Sequence, residues 1–140
     1  NIVRGADTAA IGVVGESTVT PAYAGDISII GNIISGMTNI NSVVGNVGAI
    51  VIRFGGRVII SDNNIYNSNS TYMTGIFVKE SLDALVSTNK INNVGSTGIF
   101  LNNISDRALI IGNDVNTTLS AGIYLDSTVT PDVVVSDNTW

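Results

Sequence analysis

A chain of 140 residues that is 44% hydrophobic but only 12% charged, with a net charge of −5 and neither cysteine nor histidine, has room for one domain. The missing residue types exclude a disulfide framework, thiol chemistry and the commonest neutral-pH base and metal ligand. The acidic balance argues against nucleic acid or an anionic membrane as partner, and no apolar run approaches the roughly 18 residues of a membrane span.

Residues 1–24 read as an irregular lead-in that carries one strand of a first coil near Gly12. Gly12-Val13-Val14-Gly15-Glu16, followed by Ser17-Thr18-Val19-Thr20-Pro21, resembles Gly122-Ile123-Tyr124-Leu125-Asp126, followed by Ser127-Thr128-Val129-Thr130-Pro131. From residue 25 to 140 a pattern repeats. Short apolar runs such as Ile29-Ile30, Val58-Ile59-Ile60 and Ile110-Ile111 each lead to an asparagine, giving the series Asn32, Asn63, Asn89, Asn113 and Asn138. These lie 31, 26, 24 and 25 residues apart. A second set of runs, Ala49–Ile52, Gly75–Val78, Gly98–Leu101 and Gly122–Leu125, alternates with the first. Met37 to Val47 reads as an inserted loop, and Tyr66 to Thr74 as a second, polar one. The sequence has no initiator Met and stops partway through a repeat at Trp140, so a fragment of a longer chain is expected.

The runs are three to five residues long, β-branched, and bounded by Asn, Gly, Ser and Asp, which favours strand over helix. A fixed period built from such runs is the mark of a solenoid. The expected fold is therefore all-β: a single-stranded parallel β-solenoid of about five coils, with about 24–26 residues per coil. The 17 asparagines and 15 glycines suit a many-cornered chain.

Aligning the coils on the asparagine sorts the other positions. Ile27, Val58, Ala84, Ala108 and Val133 precede it by five residues, and Ile29, Ile60, Val86, Ile110 and Val135 by three. Ile34, Ile65, Ile91, Val115 and Trp140 follow it by two. All three columns are assigned to the core. The asparagines are expected to point inward and pair from coil to coil, because a buried amide must be paired. Six residues before the asparagine come Asp26, Arg57, Asp83, Arg107 and Asp132. Alternating signs at the roughly 4.8 Å strand spacing predict a ladder of ion pairs.

Two columns are expected to face outward. Ile59, Leu85, Leu109 and Val134, headed by Ser28, form an apolar stripe suited to packing against another subunit. Val51, Phe77, Phe100 and Tyr124 form an aromatic stripe, a candidate platform for sugar rings. Beside it run Arg53, Lys79, Asn102 and Asp126, with Glu80 and Asn103; planar amides and charged groups there suit paired sugar hydroxyls. Three Asn-x-Ser/Thr strings, at Asn69, Asn103 and Asn116, are expected by chance in so Asn-rich a chain.

The recurring Gly-Ile-x-Leu and Val-x-Ile-x-x-Asn-x-Ile strings resemble the right-handed parallel β-helix of the pectate-lyase-like superfamily, and within it the repeats of phage tailspikes and polysaccharide-modifying proteins. The right hand follows from that resemblance and from the general handedness of parallel crossovers. The resemblance implies polysaccharide as ligand and, for tailspikes, a homotrimer on a virion tail or another extracellular or cell-surface setting. It implies no cofactor, and the Gly-Gly-x-Gly-x-Asp calcium repeat is absent, so no metal is expected. Catalytic motifs do not carry over. A polysaccharide lyase or hydrolase would need two facing carboxylates, for which Glu80 with Asp83, or Asp106 with Asp126, are the candidates. A ligand-free structural repeat of a bacterial surface protein is a further alternative.

Overall fold

The structure, a computed structural model, describes residues 1–5, 9–15, 23–37, 48–68, 71–126, 128 and 132–140. Among them are thirteen strands. In chain order they are β1 (Ile2–Arg4), β2 (Ile11–Val14), β3 (Ile27–Ile30), β4 (Ile33–Ser35), β5 (Gly48–Arg53), β6 (Arg57–Ser61) and β7 (Asn64–Ser68). They continue with β8 (Thr74–Ser87), β9 (Lys90–Val94), β10 (Ile99–Ile111), β11 (Asp114–Thr118), β12 (Ile123–Leu125) and β13 (Asp132–Ser136). Every pairing between them is parallel.

The strands form three stacks. The first runs β2, β5, β8, β10, β12. The second runs β3, β6, β8, β10, β13, because β8 and β10 turn a corner without breaking and serve both. The third runs β1, β4, β7, β9, β11. The chain is thus an all-β parallel solenoid. Of the five expected coils, three are complete within the described residues (β5 to β7, β8 to β9, β10 to β11), with a partial coil at either end. The third stack begins at Ile2, since Ile2–Arg4 pairs with Ile33–Ser35.

The expected core columns are in register. Val58 pairs with Ile27 and Ala84, and Ile60 with Ile29 and Val86; Ile91 pairs with Ile65 and Val115. All lie in one buried apolar cluster that also takes in the inner side chains of the first stack, Ile50, Ile52, Ile76, Val78, Ile99 and Leu101. Val135 and Trp140 are corrections. Both were assigned to the core, yet they are 42% and 72% exposed, because they sit on the last rung with one neighbouring coil instead of two. The polar loop expected from Tyr66 to Thr74 is also shorter than read. Tyr66–Ser68 completes β7, Thr74 opens β8, and Met73 is fully buried in the core. The Met37–Val47 insertion falls outside the described residues except for Met37, itself fully buried. The Ser17–Pro21 string falls outside them too.

The asparagine column forms the corner between the second and third stacks. Asn32, Asn63, Asn89 and Asn113 are buried. At Asn63, Asn89 and Asn113 the side-chain Oδ1 accepts both the backbone N–H and the Nδ2–H of the asparagine one coil earlier, as Asn89 does from Asn63 at 3.1 and 2.9 Å. In these three the Nδ2 donates to the next amide and to two carbonyls, so Asn89 reaches Asn113 Oδ1, Ile60 O and Ser87 O. The residue just before each asparagine is left-handed: Gly31, Asp62, Thr88, Gly112 and Asp137. The ladder also has a member that the periodic reading passed over. Asn1 Nδ2 donates to Asn32 Oδ1 at 3.1 Å, and Ile33 N donates to Asn1 O at 2.8 Å.

The glycines that open the first-stack runs do not serve a turn, as composition suggested. A Cβ on Gly98 would collide with the Val115 side chain and the Gly122 carbonyl oxygen. Successive coils approach too closely at Gly75 and Gly98 for any side chain, so the Gly-Ile string is a packing requirement at those two rungs.

Candidate functional site

The corner between the first and second stacks positions most of the candidate residues. Its first residue is left-handed in each complete coil: Phe54, Glu80 and Asn103, with φ of 54°, 53° and 52°. The next residue points in. Gly55 N donates to the buried Ser81 Oγ at 3.2 Å, and Ile104, in register with Ser81, is fully buried. Past Ile104 the register shifts, placing one extra residue in the span Ser105–Asp106 before Arg107 rejoins Asp83. Such a bulge re-aims side chains at an edge; it leaves Asp106 exposed.

On the first-stack side, Val51, Phe77, Phe100 and Tyr124 share one register column. Phe77 and Phe100 have ring centroids 5.0 Å apart and planes tilted by 34°; Phe100 and Tyr124 are also 5.0 Å apart, edge to face at 65°. Both separations fall in the favourable range for aromatic pairs. The column was expected to lie open along its length, and it does not. Val51 and Phe77 are buried although they lie outside the core cluster, Phe100 is half-buried, and Tyr124 is 48% exposed. Rings stacked at strand spacing cover one another's faces, so only the last presents one to solvent.

The polar column beside it is also in register, Arg53 with Lys79 and Lys79 with Asn102. Lys79 Nζ lies 3.5 Å from Glu80 Oε1, both side chains being about three-quarters buried. Arg53 sits over the Phe54 ring, 5.6 Å from its centroid. Two buried polar atoms at this corner have no hydrogen-bond partner, Arg53 Nε and Glu80 Oε2, a state that costs free energy until something supplies one. Asp126 Oδ1 accepts from Thr128 N and Oγ1, and Thr128 Oγ1 in turn accepts from Asn103 N. Sequence reading missed Phe54 and Thr128. The Phe-Gly-Gly string at Phe54–Gly56, where later coils carry Glu-Ser and Asn-Ile, was the available signal for Phe54.

On the second-stack side, the alternating charges are in register. Arg57 Nη2 donates to Asp26 Oδ2 at 2.8 Å, which holds the Asp26 carboxyl below its ordinary pKa. Arg107 Nη2 lies 3.8 Å from Asp83 Oδ2, and Asp83 Oδ1 is buried with no hydrogen-bond partner. Arg57, Asp83 and Arg107 border a shallow groove of about 180 Å³ whose apolar lining includes Ile59, Leu85 and Leu109. These three are half-buried, and Val134 is exposed at the end of their stripe. Three of the four acids weighed for hydrolysis are engaged locally, Glu80 with Lys79, Asp83 with Arg107, and Asp126 with Thr128, and the fourth, Asp106, is exposed at the bulge.

A parallel solenoid with an inner amide ladder and this succession of strands matches the family model described as the right handed beta helix region over residues 2–140. The chain belongs to the right-handed β-helix family. No curated protein and no solved structure is matched. The β-helix fold is consistent with a structural or polysaccharide-binding role, and the site's own chemistry has to choose between them.

Proposed function

We propose that this right-handed β-helix is a rigid polysaccharide-contacting segment of a protein that works outside the cell or at its surface. The glycan would lie along the outer face of the first stack at its Tyr124 end. The observation that carries this reading is an aromatic column in register from coil to coil and open at Tyr124, beside the in-register pair Lys79 and Asn102, with Asp126 following Leu125 at the same end. Aromatic faces take the apolar C–H face of a sugar ring. Amide and charged groups one register position away, Lys79 and Asn102, take its hydroxyls. Preorganisation supports the same reading, because a solenoid pinned by a buried amide ladder has little conformational entropy left to lose on binding.

The test is affinity electrophoresis or calorimetry against a panel of surface polysaccharides, with Tyr124→Ala and Phe100→Ala. Loss of one stacked ring is expected to weaken binding by about twofold to tenfold, from the roughly 0.5–1.5 kcal/mol of an aromatic contact. Unchanged affinity in a folded Tyr124→Ala protein, or no binding to any polysaccharide by the unaltered chain, would overturn the proposal.

A further inference from the structure

A different face carries a second inference, independent of the glycan reading. Along the second stack, two columns run side by side. One is charged and alternates at every rung: Asp26, Arg57, Asp83, Arg107, Asp132. The other is apolar from the second rung on: Ile59, Leu85, Leu109, Val134, following Ser28. The charges are incompletely matched within the chain. Asp83 has one oxygen without a hydrogen-bond partner and the other 3.8 Å from Arg107, and Arg107 is about half exposed. A surface that complements this face must carry the opposite alternation at the same rung spacing, about 4.8 Å. A second copy of this chain carries that spacing by construction.

The signs then select the arrangement. Two copies laid side by side with parallel axes and rungs level bring Asp83 against Asp83 and Arg107 against Arg107 wherever the column faces itself. A two-fold axis perpendicular to the solenoid and passing through the Asp83 rung does the same. A two-fold axis between rungs sets opposite charges together throughout. Of the two central positions, the one between the Asp83 and Arg107 rungs also satisfies the apolar column. It brings Leu85 to Leu109 of the second copy and Ile59 to Val134 of the second copy. The alternative, one rung earlier, would press Ser28 onto Leu109.

We propose that this face is an isologous, antiparallel self-association surface, with the two-fold between the Asp83 and Arg107 rungs. Asp83 pairs there with Arg107 of the second copy, and Arg57 with Asp132 of the second copy. The groove lined by Arg57, Ile59, Leu85 and Leu109 is closed by the second copy's matching face.

The test uses the whole chain. Its lack of cysteine makes introduced thiols clean reporters. Light scattering across a concentration series is expected to show a dimer that dissociates as salt is raised, and a monomer for Leu85→Asp with unchanged circular dichroism. A short bismaleimide is then applied to Ile59→Cys alone, Val134→Cys alone and their equimolar mixture. In the antiparallel pair, position 59 of one copy meets 134 of the other, while the two 59 positions lie three rungs, about 14 Å, apart along the axis. Crosslinking is therefore expected mainly in the mixture, at severalfold the yield of either single variant. A monomer at every concentration, a trimer, or crosslinking that is strongest within Ile59→Cys alone would each overturn the proposal.

Discussion

The two best-described corners of each coil solve the same geometric problem in opposite ways. Both turn the chain through a left-handed residue. At the corner between the second and third stacks, that residue is followed at every rung by the same side chain, an asparagine whose amide is saturated by its neighbours. At the corner between the first and second stacks, the three coils read Phe-Gly-Gly, Glu-Ser-Leu and Asn-Ile-Ser-Asp. There the register slips by a residue, and buried polar atoms of Arg53 and Glu80 are left unpaired. Uniformity marks the corner that holds the coils together, and variety marks the one whose side chains are free for other work. Stability should therefore respond steeply to change at the first kind of corner and weakly at the second.

The largest effect is expected from Asn89→Ala. The substitution removes the acceptor for the Asn63 N–H and Nδ2 and the donor to Ile60 O, Ser87 O and Asn113 Oδ1. It strands the buried Asn63 N–H, and at roughly 1–3 kcal/mol for each buried group left unsatisfied, about 3–5 kcal/mol of stability should be lost. Asn103→Ala is the control at the other corner, where Asn103 is itself the left-handed residue and is exposed. Its backbone N–H keeps the bond to Thr128, so the cost should be only about 1 kcal/mol, from Ala's poorer tolerance of that backbone region. Urea unfolding of the two variants measures the contrast; similar losses would mean that the repeated amide is not what distinguishes the corners.

A smaller change of opposite sign is expected at Thr88. In the column of residues before the asparagines, glycine and aspartate fill four rungs and Thr88 the fifth, at φ 53°. A β-branched residue is poorly suited to that region. Thr88→Asn should raise stability by about 1 kcal/mol, since asparagine tolerates the geometry and its amide can still donate to Asp62 Oδ1, as the Thr88 hydroxyl does at 2.8 Å. A shift to a higher urea midpoint at unchanged slope is the expected result.

The division between the corners also explains what could be read from the residues alone. The asparagine ladder, the core columns and the alternating charges were legible because each repeats one chemistry at one spacing. Asn1 escaped because only Ile2 and Val3 follow it before the pattern lapses, although its distance to Asn32 equals that from Asn32 to Asn63. The aromatic column was placed on the right face but given the wrong exposure. Alternation along a strand states the direction of a side chain and says nothing of what its neighbours cover. The role of Gly98 was misread for a similar reason. Composition suggests turns for glycine, whereas the close approach of the Gly122 carbonyl is a property of two coils together. The inward turn at Ser81 and the bulge near Asp106 arise at the variable corner, where no repeated residue announces them.

The smallest effect belongs to the ion pair that borders the variable corner. Arg57 follows Gly56 directly, and its guanidinium bonds the Asp26 carboxylate, holding that carboxyl below its ordinary value of 3.8. A carboxyl with a depressed pKa in the folded state contributes stability that is present above its unfolded value and lost as pH falls through its folded one. Both partners are exposed, with side-chain accessibilities of 63% and 67%, so the contribution is small and screened by salt. Melting temperatures of the unaltered chain and Asp26→Asn should differ slightly at pH 6, and the gap should close as the pH drops below 3.8 and through the lowered value. Raising the salt concentration at pH 6 should narrow it as well. A gap that persists at low pH would assign Asp26 a role other than its charge, and would bring this edge of the variable corner closer to the asparagine corner, where neutral hydrogen bonds carry the load.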